Sequence, residues 1–191
     1  MGEFRFTAKT DFGVFKDYWM FTLFEKRDEK KRRSGFVKYL TILCVIVAAL
    51  VVLVVCNAAV MNNSLGVIPL ILLGGMVAAT ISAVITATHS QPKKQYKLVR
   101  ETVENPQKYV FTSTGMEVRE YVAEEERESL AEFPYEKIVN AYETPKAFYL
   151  FISEVEAFLI AKNQLDEVNQ DEFGAFLEEH LAGRYFKSKK S

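Results

Sequence analysis

The side chains able to do chemistry are few and scattered. His89 stands at the end of a long apolar run, and His180 sits beside an apolar stripe near the C-terminus. Neither has a cysteine or a paired aspartate at ligand or triad spacing. Cys44 and Cys56 are the only cysteines, and both fall in one apolar run on different sides of a helix. They read as small apolar fillers, with no disulfide framework or zinc spacing. Glu124, Glu125, Glu126 and Glu128 gather four acids. They lack the Asp/Asn/Gly spacing of a calcium loop and read as a solvated hairpin tip. The chain has no phosphate-binding glycine loop, no G-x-S-x-G and no H-E-x-x-H. The expectation is a protein that is not an enzyme and holds no cofactor or metal.

Basic residues are the better candidates. Lys93, Lys94 and Lys97 follow a long apolar run closely. Arg184, Lys187, Lys189 and Lys190 form a basic tail interleaved with Tyr185 and Phe186. Near an anionic leaflet each basic residue adds about 1 kcal/mol of attraction. Lys93, Lys94, Lys97, Arg184 and Lys187 are therefore candidate contacts for lipid headgroups. The plainer reading is that basic flanks set topology and basic tails are common. Nucleic acid is a poor partner, because the region between the two patches is acidic.

These residues must be positioned by a chain of two characters. Its 191 residues carry a net charge of -1, yet the charge is segregated. No charged side chain occurs from Tyr39 to Val60 or from Leu65 to Thr88. Each run is long enough to cross about 30 Å of hydrocarbon as a helix. A helical hairpin keeps every backbone bond internal. The expected organisation is a cytoplasmic N-terminal region over 1–34, a transmembrane helix over 36–60, an external turn over 61–64, a second transmembrane helix over 65–88, and a cytoplasmic domain over 95–191. The first run does not read as a cleaved signal peptide, because a long charged segment precedes it. Gly2 does not read as a myristoylation site, because Phe6 stands where Ser or Thr is needed.

Lys26, Arg27, Lys30, Lys31, Arg32, Arg33 and Lys38 precede the first run, and Lys93, Lys94, Lys97 and Arg100 follow the second. By the positive-inside rule both termini face the cytoplasm of a multi-pass cell-membrane protein. The runs contain no Asp, Glu, Lys, Arg or His in their interiors, which argues against a transport pathway. Gly75, Ala79 and Ala83 recur every four residues in the second run. Such a face admits close helix packing, against the first run at Cys44, Ala48 and Ala49 or in a homo-oligomer.

Glu3–Ala8 alternates Phe4 and Phe6 as a strand would. Thr10 or Asp11 can cap a helix running towards Arg33, with Phe12, Phe15, Trp19 and Leu23 on one face. That helix lies along the membrane surface or packs on the soluble domain. From Gln95 the pattern becomes strand-like: "QYKLVRETV", "KYVFTS", a turn at Thr114-Gly115, "MEVREYV", "SLAEF", "KAFYLFIS" and "EVEAFLIAK". Phe148, Leu150 and Ile152 are expected in the core. Asn169 with Glu172 forms a capping box, and Phe173, Phe176, Leu177 and Leu181 form the stripe of a closing helix. Strands followed by one amphipathic helix predict an α+β domain, an antiparallel sheet or half-barrel closed by the C-terminal helix.

"FPYEKIVNAYETPKAFYLFISEVEAFLIAKNQL" with "DEFGAFLEEHL" resembles the C-terminal domain of the YcxB-like family of small bacterial two-span membrane proteins. The match is carried by Tyr135 with Ile138, by the strand "FYLFIS", and by Ile160 with Lys162. The family often has Ile-Pro-Lys at the last position, where this chain has Ala161. The resemblance implies a pleckstrin-homology-like (PH-like) barrel capped by a helix, and it names no activity. Two functional readings follow. One is a PH-like interaction domain that binds a protein partner or anionic lipid headgroups. The other is a structural or regulatory membrane subunit acting through its helix hairpin.

Overall fold

The computed structural model describes residues 3–26, 35–61, 67–122, 127–165 and 168–188. It divides into two compact units, Trp19–Gln95 and the pair of segments Met1–Tyr18 and Tyr96–Ser191. The elements in chain order are β1 (Phe4–Ala8), α1 (Phe12–Phe24), α2 (Gly35–Met61), α3 (Val67–Ile85), α4 (Gln91–Val103), β2 (Gln107–Phe111), β3 (Gly115–Val122), β4 (Arg127–Pro134), β5 (Asn140–Glu143), β6 (Ala147–Phe151), β7 (Ala157–Ala161), α5 (Gln170–His180) and β8 (Tyr185–Lys187).

The first unit is helical. Two of its helices are long and apolar enough to cross a membrane. The 27 residues of α2 span about 40 Å at 1.5 Å per residue. Large apolar side chains on both helices are open to the surroundings, Val45 and Leu53 at 63% exposure and Ile71 at 67%. Asn62, Asn63 and Ser64 of the expected external turn lie outside the described residues.

Half-buried positions on α2 are Leu40, Leu43, Val47, Leu50 and Val54, spaced alternately by three and four. On α3 they are Leu73, Met76, Thr80, Ala83 and Val84. The two helices lie against each other. This spacing is that of a left-handed coiled-coil seam, filled mainly by large residues. Cys44, Ala48 and Ala49 are exposed and do not form that seam, contrary to the expectation from their size. After Ile85 the chain makes a π-helical turn, Thr86–Ser90, before α4. Such turns leave carbonyls without their usual partner. The Trp19 indole donates to the Ala87 carbonyl at 2.8 Å.

The second unit holds two four-stranded sheets in the orders β1-β2-β3-β4 and β7-β6-β5-β8. All pairings are antiparallel except β8 with β5, which is parallel. The sheet is thus mixed where an antiparallel one was expected, and neither sheet closes into a barrel. The basic tail read as following the closing helix is, over Tyr185–Lys187, this eighth strand. Gly183, at φ +80°, turns the chain out of α5 towards it.

β1 pairs with β2 in register from Phe4↔Phe111 to Ala8↔Gln107. The expected N-terminal region over 1–34 is therefore not separate: its first strand is part of the sheet. Phe4 and Phe6 reach the core formed by Tyr109, Phe111, Met116, Val118, Phe148, Leu150, Ile160 and Phe173. Ile152, expected in that core, is half-buried beyond the end of β6.

Residues 95–103 are helical, not a strand. Tyr96 and Leu98 suggested alternation, but Tyr96 is buried while Leu98 is 79% exposed. The helical spacing of Pro92, Tyr96 and Val103 is the one that packs. Asp11 caps α1, its Oδ1 accepting from Val14 N at 2.8 Å. Phe12 and Phe15 pack on the Tyr96 ring, and Tyr18 packs on Tyr149 and Phe151. All five residues of β6 are consequently buried, Phe148 and Leu150 in the main core and Tyr149 and Phe151 beside Tyr18. The first turns of α1 thus pack on the strand-rich unit, and its last turns belong to the helical one. The expected continuation to Arg33 falls on residues 27–34, outside the described ones.

Gly115 begins β3 where the backbone of β4 passes close by. A Cβ there would stand 2.7 Å from the Phe133 carbonyl oxygen. Because that neighbour is paired backbone, Gly115→Ala is expected to cost about 1–3 kcal/mol as an overpacking change. Chemical unfolding of the solubilised chain would measure it, and an unchanged midpoint would contradict this geometry.

Candidate functional site

The end of β5 carries Glu143, which gathers three elements. Lys162 follows β7 and places Nζ 2.6 Å from Glu143 Oε1, with both side chains only 15% exposed. Tyr185 on β8 donates its hydroxyl to Glu143 Oε2 at 2.6 Å. The Lys162 ammonium lies over the Phe148 ring, 4.8 Å from its centroid, a cation–π contact. Gly174 on α5 faces the cluster, where a Cβ would come within 3.1 Å of the Tyr185 hydroxyl.

Burial pushes the Glu143 carboxyl up, but the bonds from Lys162 and Tyr185 outweigh it and hold the group below its ordinary value. Burial and the same carboxylate push the Tyr185 phenol well above its ordinary value. The result is an ionised carboxylate, a cation and a neutral phenol whose contacts are with one another. A general base poised near neutrality would need the opposite shift at Glu143. The cluster reads as a tie between β5, β7 and β8, not as reactive machinery.

The residues singled out for headgroup contact fall into two groups. Lys93, Lys94 and Lys97 are exposed on α4, and none joins an ion pair among the described residues. Arg184 turns inward and donates from Nη1 to the Tyr135 and Ile138 carbonyls. Lys187 pairs with Glu178 at 3.1 Å on the surface. Lys189 and Lys190 lie outside the described residues, as do Glu124, Glu125 and Glu126. Gly75 and Ala79 are exposed on α3, and a Cβ added at Gly75 would meet nothing within 4 Å. Ala83 is half-buried in the seam, because steps of four residues advance about 40° per turn around a 3.6-residue helix. His180 Nδ1 lies 2.9 Å from the Phe176 carbonyl, and its ring packs against Tyr135 and Phe176. Among the described residues no three His, Cys, Asp or Glu side chains cluster as metal ligands would.

The stretch from late β3 through β4–β7 into α5 holds both Glu143 and Lys162. Residues 119–177 match the family model of YcxB-like proteins. No curated protein matches the chain, and no solved structure does. The YcxB-like segment contains the Glu143–Lys162 pair and Gly174. It leaves out Tyr185, β1, β2 and the two apolar helices.

Glu143 stands in no motif of the sequence, and Lys162 and Tyr185 enter it only as the end of an apolar strand and as part of a basic tail. Lys162 and Tyr185 lie 19 and 42 positions after Glu143, and only strand order brings the three together. The one local signal was Lys162 ending an apolar strand, where a solvated lysine would serve as well.

Proposed function

We propose that the chain is an integral membrane protein, both termini in the cytoplasm. Its strand-rich unit acts there as a PH-like interaction module without catalysis, binding a protein segment or anionic lipid headgroups. The observation that carries the membrane part is the bare apolar surface of α2 and α3, none of it buried within either candidate span. So large an apolar surface is not left in water by a soluble fold. The binding part is supported by a strand-rich unit with its own aromatic core and by the absence of a poised acid–base pair at Glu143.

Topology is tested by cysteine labelling in intact cells. In a Cys44→Ser, Cys56→Ser background, Asn63→Cys is expected to react with an impermeant maleimide from outside. Ser188→Cys is expected to react only after permeabilisation. Labelling of Ser188→Cys in intact cells would overturn the orientation. Photo-crosslinking from position 94 in native membranes then asks for the partner. A discrete protein or lipid adduct is expected, and only diffuse background would count against a binding module.

A second reading has its own observation. Gly74 and Gly75 have nothing within 4 Å of an added Cβ, and Ala79 is exposed while α2 packs along a different stripe. That open small-residue face would suit another helix, including that of a second copy. Gly75→Leu would abolish self-crosslinking if the hairpin assembles through this face and would leave it unchanged if the hairpin is only an anchor.

A further inference from the structure

The helical run from α3 into α4 changes register once. Over Thr86–Ser90 each amide reaches back five residues, and the Gln91 amide donates to the Thr86 carbonyl. In that register the next carbonyl, Ala87, calls for the amide of residue 92. Residue 92 is a proline, its ring fully buried, and it has no N–H to give. The Trp19 indole supplies the missing donor from α1, with Nε1 at 2.8 Å from the Ala87 carbonyl oxygen across 68 positions of sequence.

The same residues can also follow the ordinary α-helical register. The Gln91 amide would then move to the Ala87 carbonyl, and the Thr88 carbonyl, four residues before the proline, would lose its donor. Pro92 thus orphans one carbonyl in either register. The π-helical register orphans the one that Trp19 meets. Without such support a π-helical turn is the rarer geometry. We propose that Thr86–Ser90 is a two-register switch, held in its π-helical state by the Trp19 indole and returned to the α-helical state when the indole leaves. The return adds one ordinary helical step, about 1.5 Å of length and about 100° of rotation. Lys93 and Lys94, the first two lysines after α3, turn by that angle relative to α3. The register therefore sets the direction in which these two cations stand at the end of the apolar segment. A ligand engaging both in one orientation alone would bias the switch by its differential affinity.

The test is a distance measurement by double electron–electron resonance on the full chain in lipid nanodiscs, diluted with unlabelled chain. Spin labels are placed at Gly74→Cys and Lys93→Cys in a Cys44→Ser, Cys56→Ser background. Both positions are exposed, and a Cβ added at Gly74 meets nothing within 4 Å. With the π-helical turn absorbing one residue, the remaining steps close whole turns, so the labels share one side of the helix about 27 Å apart. Trp19→Phe keeps an aromatic ring and removes the donor. It is expected to replace this distance with one longer by several ångströms, as the second label swings round the axis. Pro92→Ala gives residue 92 an amide, so the α-helical register leaves no carbonyl orphaned, and the same longer distance is expected. An unchanged distance in Trp19→Phe overturns the lock, even where Pro92→Ala lengthens it. An unchanged distance in both variants overturns the switch, and so does a broad spread of distances, the mark of a frayed helix with no second register.

Discussion

Phe173→Ala is expected to remove a large share of the stability of the strand-rich unit. Phe173 is fully buried on α5. Its ring meets Phe111 at 4.9 Å, Phe148 at 5.1 Å, Phe4 at 5.3 Å and Phe6 at 5.5 Å between centroids. One side chain thus joins β1, β2 and β6 to the closing helix. Truncating a buried Phe costs about 3–5 kcal/mol when surrounding structure relaxes only in part, against a total of about 5–15 kcal/mol for an ordinary domain. Urea unfolding of the solubilised chain, followed by near-ultraviolet circular dichroism, would read the loss. Phe173→Leu keeps most of the volume and is expected to cost much less. Equal effects from the two variants would sink the argument from packing. Deleting residues 1–9 is expected to act in the same direction, because it removes β1 with two of the four rings. A domain expressed from Ser90 onward should therefore be unstable, even though the YcxB-like match begins only at residue 119.

That deletion shows where sequence patterning stops informing. The alternation of Phe4 and Phe6 marked a strand, but its partner lies beyond both apolar helices, and no local pattern names a partner. β8 is three residues long and pairs in parallel, so Tyr185–Lys187 carried too few positions to distinguish a strand from a basic tail. α4 failed for a different reason. Tyr96 and Leu98 satisfy a period of two by coincidence, and the decisive contacts, Thr10 N to the Val103 carbonyl and Phe12 on Tyr96, come from the distant N-terminal segment. What could be read was local and strongly periodic: the two long apolar helices, the β6–β7 hairpin, and α5. There Asn169 accepts from the Asp171 and Glu172 amides and donates to the Glu172 carboxylate. The Glu143 tie depends on strand order and does not exist until the second sheet does.

Glu143→Ala is expected to be the second most damaging change, for an electrostatic reason. It leaves the Lys162 ammonium largely buried with no carboxylate and the Tyr185 hydroxyl without its acceptor. Breaking a buried pair from one side costs about 3–5 kcal/mol, because an uncompensated charge remains. Replacing both partners, as Glu143→Gln with Lys162→Met, should recover much of that loss. The double-mutant cycle would then give a large coupling energy, and strictly additive losses would mean the pair is not coupled. The pH dependence has a definite sign. Glu143 is held below its ordinary carboxylate value in the folded chain. Its contribution is therefore fully present above the unfolded-state value and is lost as pH falls through the folded one. Tyr185 is raised, so the phenol's contribution is present below its unfolded-state value and is lost as pH rises beyond it. Glu143→Gln should flatten the acid limb of stability.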